Sequence, residues 1–326
     1  MKVLVTGASG LIGRHTVEAL LAQGHDVRTF QRSPLTRAAE TAAPRAPDTS
    51  GRDTHKGSDL PAWQRVEAVR GDIRTDLRAL CAAARGCQAV VHLAGRGDVG
   101  ESRRDPLGYA QLNATGTLHA LEAARAARAS FVLASSQRVY PLQPAACRED
   151  DPPAPDSPYG YAKWVAELWC RMAAEQFGLT TRVLRFFSVY GPGQQPNGGS
   201  GVVTIFARAA LAGQPLVVQS AGRRDFTDAR DVARGILLAV NAPADGAYHV
   251  HNIATGRGTT FRALAEQIIA AAASTSTIEE QLREPPGRDL VADISRATTE
   301  LGYTPCIPLH QGLAHYLRWL RQHDSA

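Results

Sequence analysis

Thr6-Gly7-Ala8-Ser9-Gly10-Leu11-Ile12-Gly13 decides how this chain is read. Ahead of it stands the apolar, β-branched run Lys2 to Thr6, and behind it a helix-compatible run from Arg14 to Ala22. Glycines at this spacing, between a strand and a helix start, let the backbone approach a pyrophosphate. The phosphate charge then meets unpaired amides at the positive end of the helix. A glycine triplet alone is an ordinary tight turn; strand, spacing and helix together point to a dinucleotide. Gly7, Ser9, Gly10, Leu11, Ile12 and Gly13 are therefore candidate cofactor contacts.

Outward from the turn, short apolar runs alternate with longer alanine-, leucine- and arginine-rich segments of helical spacing, the pattern of an α/β fold with a doubly wound parallel (Rossmann) sheet. Seven strands are expected: Lys2 to Thr6, Asp26 to Gln31, Val66 to Arg70, Ala89 to Leu93, Ser130 to Ser135, Thr181 to Phe187 and Ala247 to Asn252. The polar, proline- and alanine-rich stretch Ser33 to Arg65 has little to bury and reads as a long mobile surface loop. After Phe187 the chain turns glycine- and proline-rich, then helical near Thr260 to Ala273 and His310 to Gln322. This suggests residues 1–187 with about 223–253 as the dinucleotide-binding domain, and about 188–222 with 254–326 as a smaller substrate-binding lobe.

With 326 residues, 44% hydrophobic and 21% charged, the chain can bury a substantial core and is neither disordered nor collagen-like. Its net charge, 36 − 31 = +5, is scattered rather than gathered into basic runs, which favours an acidic small ligand over nucleic acid. No signal-peptide pattern opens the sequence and no apolar run is long enough to span a membrane, so a cytoplasmic protein is expected. The five cysteines read as reduced thiols, and Cys81 and Cys87 have no histidine cluster to make zinc plausible.

The end of the second strand should meet the adenosine ribose. Gln31 stands there, followed by Arg32, with no carboxylate to accept from a 2′-hydroxyl; an arginine can pair with a 2′-phosphate, which favours NADP over NAD. Asp72, followed by Ile73, can accept from the adenine amino group or cap the next helix. Tyr159 and Lys163 lie one helical turn apart in Ser157-Pro158-Tyr159-Gly160-Tyr161-Ala162-Lys163. With eight tyrosines and three lysines, random placement gives 8 × 3/326, roughly 0.07 such pairs. A compact ammonium beside a phenol, aided by an oxidised nicotinamide, favours the phenolate and makes it a usable base. Ser135 and Ser136 close the fifth strand, at the edge where open α/β sheets bind ligands, and Ser136 can relay a proton to Tyr159.

In order, these pieces resemble the extended short-chain dehydrogenase/reductase family, in particular its sugar-nucleotide epimerase/dehydratase branch. The likeness continues through Val91-His92-Leu93-Ala94, Asn113-Ala114-Thr115-Gly116-Thr117, Leu184-Arg185-Phe186-Phe187-Ser188-Val189-Tyr190-Gly191-Pro192-Gly193 and Arg224-Asp225-Phe226. It implies that Ser136, Tyr159 and Lys163 are catalytic. Leu93, Ala94, Gly95 and Asn113 become cofactor contacts, Ala94 and Gly95 by the nicotinamide ribose. Ser135, Ser136, Ser188 and Arg224 become substrate contacts, Arg224 on a diphosphate. It also implies a homodimer paired through the helices near Asp105 to Arg128 and Tyr159 to Phe177.

The sequence departs from the family where dehydratases carry an acidic pair, having Gln137 and Arg138 instead. Ser188 replaces a customary asparagine, and Arg283 and Arg288 flank Pro285-Pro286-Gly287 out of the usual register. The reading that follows is an NAD- or NADP-dependent epimerase of a nucleotide sugar, working through a transient keto sugar. The alternative is an NADP-dependent reductase of a keto-sugar or another small ketone or aldehyde.

Overall fold

The computed structural model describes residues 1–32, 66–194, 201–284 and 287–323. The expected loop at 33–65 lies outside them. Strands β1 (Lys2–Thr6), β2 (Asp26–Gln31), β3 (Glu67–Arg70), β4 (Ala89–His92), β5 (Ser130–Ser136), β6 (Thr181–Phe186) and β7 (Tyr248–Ile253) correspond to the seven runs seen in the sequence. All join one parallel sheet in the order β7-β6-β5-β4-β1-β2-β3.

Side-chain alternation explains why these strands read as unbroken apolar runs. Leu4, Val90, Phe131 and Val183 face one layer of helices, while Val3, Val5, Val91, Val132 and Leu184 face the other. The first layer holds α2 (Leu77–Ala84), α3 (Gly116–Ala127) and α4 (Pro158–Phe177); the second holds α1 (Leu11–Ala22) and α6 (Ala229–Asn241). Helix α5 (Val202–Leu211) precedes α6 in the chain and belongs elsewhere. Its Phe206 packs with Leu264 and Ile268 of α7 (Phe261–Ala272) and with Leu313, Tyr316 and Leu320 of α9 (Leu309–His323), forming a separate core. That core is finished by the parallel pair Leu216–Ser220 and Ile278–Glu284, which sequence patterning did not suggest. A short helix, α8 (Ser295–Leu301), returns to the sheet through buried Ala297.

What positions a site is the reversal of strand order between β1 and β4. The chain runs outward from β1 through β2 to β3, then crosses back to β4 and continues the other way. The carboxyl ends of β1 and β4 diverge at that point and open a crevice, the place where such sheets bind ligands. Among the described residues no helix is long and apolar enough to cross a membrane, and all five cysteines are free.

Candidate active site

The glycine turn sits at this crevice. Gly7 has φ +71°, and a Cβ on it would lie 2.6 Å from the amide nitrogen of Ala94, just past β4. A Cβ on Gly13 would stand 2.2 Å from the Gly7 carbonyl oxygen, so turn and helix meet backbone to backbone. Gly10 is the N-cap of α1, with no side-chain cap and no acidic residue in the first turn. The first-turn amides of α1 therefore remain available to an anion, at the positive end of the helix.

Around the turn lie further groups suited to a dinucleotide. Gln31, at the end of β2, is 8% exposed, and neither polar atom of its amide has a partner among the described residues. Such a group is costly unless something bonds it, and ribose hydroxyls supply both a donor and an acceptor. Arg32 is exposed beside it. Asp72 holds Arg74 through both carboxylate oxygens, and that hydrogen bonding, aided by the nearby charge of Arg32, keeps its carboxyl below the usual range. Asp72 does not cap α2; Asp76 occupies the N-cap position. Ile73 is buried, its side chain close to Gly116.

Past β4, the Ala94 amide donates to Thr6 Oγ1 at 3.2 Å. Leu93 packs against the second-layer core. Asn113 clasps the backbone of Arg96, accepting from its amide at 3.0 Å and donating to its carbonyl at 2.9 Å. It does so from a π-helical turn, Ala110–Thr115. A Cβ on Gly95 would lie 2.9 Å from Asn113 Oδ1 and 3.5 Å from Lys163 Nζ. The absent side chain leaves a cradle between Asn113 and Lys163. Uncapped amides, orphaned Gln31 and this cradle together fit a nicotinamide dinucleotide.

Helix α4 delivers the chemistry. Ser157 caps it by accepting from the Gly160 amide, and Pro158 starts it with its φ already helical. Tyr159 and Lys163 then project from one face, both buried. Ser136, closing β5, has its hydroxyl near enough to Tyr159 to act on the phenol. Lys163 donates to the Ala134 carbonyl at 2.7 Å, and burial pushes its ammonium down to about 8, against a smaller opposing pull from Glu167. Burial and the charge of Lys163 push His92 down to about 3, so its imidazole is neutral, bonded through Nδ1 to Thr6 Oγ1 at 2.8 Å.

The tyrosine differs from expectation in one respect. Burial pushes its phenol above the ordinary value; the Ser136 hydrogen bond and the charge of Arg138 draw it back. Lys163 is not among the groups acting on it. The sequence reading treated Arg138 only as a missing acid, whereas its guanidinium is the cation that acts on Tyr159.

The expected substrate contacts divide. Ser135 donates to Glu167 within a buried pair in which Arg185 Nη2 meets Glu167 Oε2 at 2.7 Å, so its hydroxyl is engaged away from the triad. Arg224 is buried, with Nη1 donating to the carbonyls of Arg223 and Arg288 at 2.9 and 2.8 Å and its guanidinium 5.2 Å from the Phe261 ring centroid. It lines a cavity of about 1290 Å³ to which Arg208, Arg283 and Arg321 also contribute, with no carboxylate among the described walls. Ser136 and Tyr159 lie outside those walls.

Ser188 follows β6 with φ +25°, a conformation asparagine tolerates better than serine. Its Oγ accepts from Gln137 Nε2 at 3.1 Å. Sequence reasoning marked both positions as departures without joining them.

A doubly wound sheet with a glycine turn at its switch point and a serine, tyrosine and lysine on the adjoining strand and helix defines a nicotinamide-dependent enzyme of the extended short-chain dehydrogenase/reductase type. The chain belongs to the NAD dependent epimerase/dehydratase family, whose model matches residues 3–254. It is 32% identical to the UDP-glucose 4-epimerase of Mycolicibacterium smegmatis over 98% of this chain and 99% of that one. It is 30% identical to the dTDP-glucose 4,6-dehydratase of Streptomyces niveus, over 100% of this chain and 94% of that one. Among solved structures it resembles MoeE5 in complex with UDP-glucuronic acid and NAD, with a TM-score of 0.82, 30% identity and 99% of both chains covered. MoeE5 was also solved with UDP-glucose and NAD.

Proposed function

We propose that this enzyme epimerises a nucleotide sugar, most simply a UDP-hexose at C4, through a transient keto sugar. The observation that carries the reading is Tyr159, buried beside Ser136 at the end of β5, on a helix whose next turn holds the buried Lys163. Tyr159 takes the proton of the sugar hydroxyl, with Ser136 relaying it. Lys163 keeps a positive charge at the crevice. The nicotinamide, when bound, accepts hydride from the carbon and returns it. Rotation of the keto sugar between those events presents its other face, and Tyr159 then gives the proton back. Arg224 and Arg283 supply charge for the diphosphate.

Gln137 is an amide and Arg138 a cation, so neither is an acid for expelling water, which supports epimerisation over dehydration. Arg32 supports NADP over NAD, by its charge at the ribose end of β2. The exposed apolar residues Tyr161, Val165 and Leu168, spaced along one face of α4, support a homodimer formed through that helix.

The test is to incubate the purified protein with UDP-, GDP- and dTDP-sugars and to resolve the epimers. Interconversion with no net change in reduced-nicotinamide absorbance is expected. No conversion of any of them contradicts the reading, and stoichiometric consumption of NADPH identifies a keto-sugar reductase instead.

A further inference from the structure

Gln137 stands directly after Ser136, in the turn Gln137–Val139 that leaves β5. Its side chain reaches across to the end of β6, the neighbouring strand, where Nε2 donates to Ser188 Oγ at 3.1 Å. Ser136 pairs in register with Phe186, so Gln137 and Ser188 occupy the carboxyl ends of adjacent strands, on the ligand-binding edge of the sheet. Gln137 is 8% exposed, and its carbonyl oxygen Oε1 is buried with no partner among the described residues. A structural amide in such a place normally has both ends bonded. Here the nitrogen is engaged with Ser188, and the oxygen is unpaired one residue from the Ser136 hydroxyl.

We propose that Gln137 is the specificity-determining residue for the sugar: its Oε1, oriented by Ser188, accepts a hydrogen bond from a hydroxyl of the substrate's hexose. This deepens the epimerase reading above and rests on it. A hydroxyl donates to the waiting oxygen and satisfies it. A carboxylate has no proton to give at neutral pH and sets its charge against the negative end of the amide dipole. Gln137 therefore selects a neutral hexose over a uronic acid, with Ser188 holding the side chain in place.

Calorimetric titration of the cofactor-loaded protein with UDP, UDP-glucose and UDP-glucuronate tests this, with Gln137→Ala and Ser188→Ala as variants and thermal unfolding alongside. The wild type binds UDP-glucose more tightly than UDP-glucuronate. Gln137→Ala weakens UDP-glucose by roughly five- to tenfold, the loss of one hydrogen bond, while UDP itself binds as before. Its midpoint of unfolding does not fall, since an unsatisfied buried group has been removed. Ser188→Ala narrows the gap between the two sugars. A wild type that prefers UDP-glucuronate overturns the proposal, as does a Gln137→Ala variant whose UDP-glucose affinity relative to UDP is unchanged. A variant that loses UDP binding together with thermal stability marks Gln137 as structural and also overturns it. If the wild type binds no UDP-sugar at all, the epimerase reading itself has failed.

Discussion

Lys163 donates its ammonium to the main-chain carbonyl of Ala134, at 2.7 Å, two residues before Ser136. One buried cation thus ties helix α4 to strand β5. Removing it should disturb the position of the tyrosine and take a positive charge from the crevice. Lys163→Met is expected to lower kcat by about 10²–10⁴-fold, measured by epimer formation.

The same lysine gives a pH signature in stability. Its pKa falls from 10.5 to about 8 on folding. Between those values the unfolded chain holds a proton that the native chain has released, so this group makes the fold more stable as pH rises from about 8 toward 10.5. Below 8 both states are charged and the full desolvation cost remains. The stability of the wild type relative to Lys163→Met in denaturant unfolding should therefore rise with pH through that window. A relative stability that stays constant or falls contradicts the assignment.

Arg138 lowers the Tyr159 phenol, together with the stronger effect of the Ser136 hydrogen bond. Arg138→Ala should therefore move the acid limb of the pH–rate profile upward. The Kd for NAD should stay unchanged. An unmoved limb would mean that Arg138 does not act on the phenol.

The glycines of the turn are not equivalent. A Cβ on Gly7 or Gly13 meets backbone at 2.6 or 2.2 Å, whereas on Gly10 its nearest neighbour is 3.4 Å away, an ordinary contact. Gly7→Ala adds a left-handed penalty of about 1–2 kcal/mol. Cofactor-free thermal unfolding should show clear destabilisation for Gly7→Ala and Gly13→Ala and little for Gly10→Ala.

The proposed preference for NADP rests on Arg32. Arg32→Ala should weaken NADP by at least about tenfold, the loss of a charge-assisted contact, and leave NAD nearly unchanged. Equal losses for both would remove the argument for NADP.

The sheet was legible because buried parallel strands write themselves as short apolar runs between amphipathic segments; even the edge strand Tyr248–Ile253 was found within one residue. The parallel pair Leu216–Ser220 with Ile278–Glu284 was not. Its second strand, Ile-Glu-Glu-Gln-Leu-Arg-Glu, is charged and carries neither periodicity. At the candidate site, spacing within one helix pointed to Tyr159 and Lys163, and a strand end pointed to Ser136. Contacts between elements could not be read this way. The engagement of Ser135 with Glu167, the action of Arg138 on Tyr159 and the clasp of Gln137 on Ser188 join residues 32, 21 and 51 positions apart, which meet only in the fold.

Tyr159→Phe is the most direct test, with turnover of UDP-glucose and binding of NAD measured on the same preparation. Loss of turnover by about 10²–10⁴-fold, with the Kd for NAD unchanged, is the result the structure calls for. A phenylalanine variant that still interconverts the epimers at the wild-type rate contradicts it.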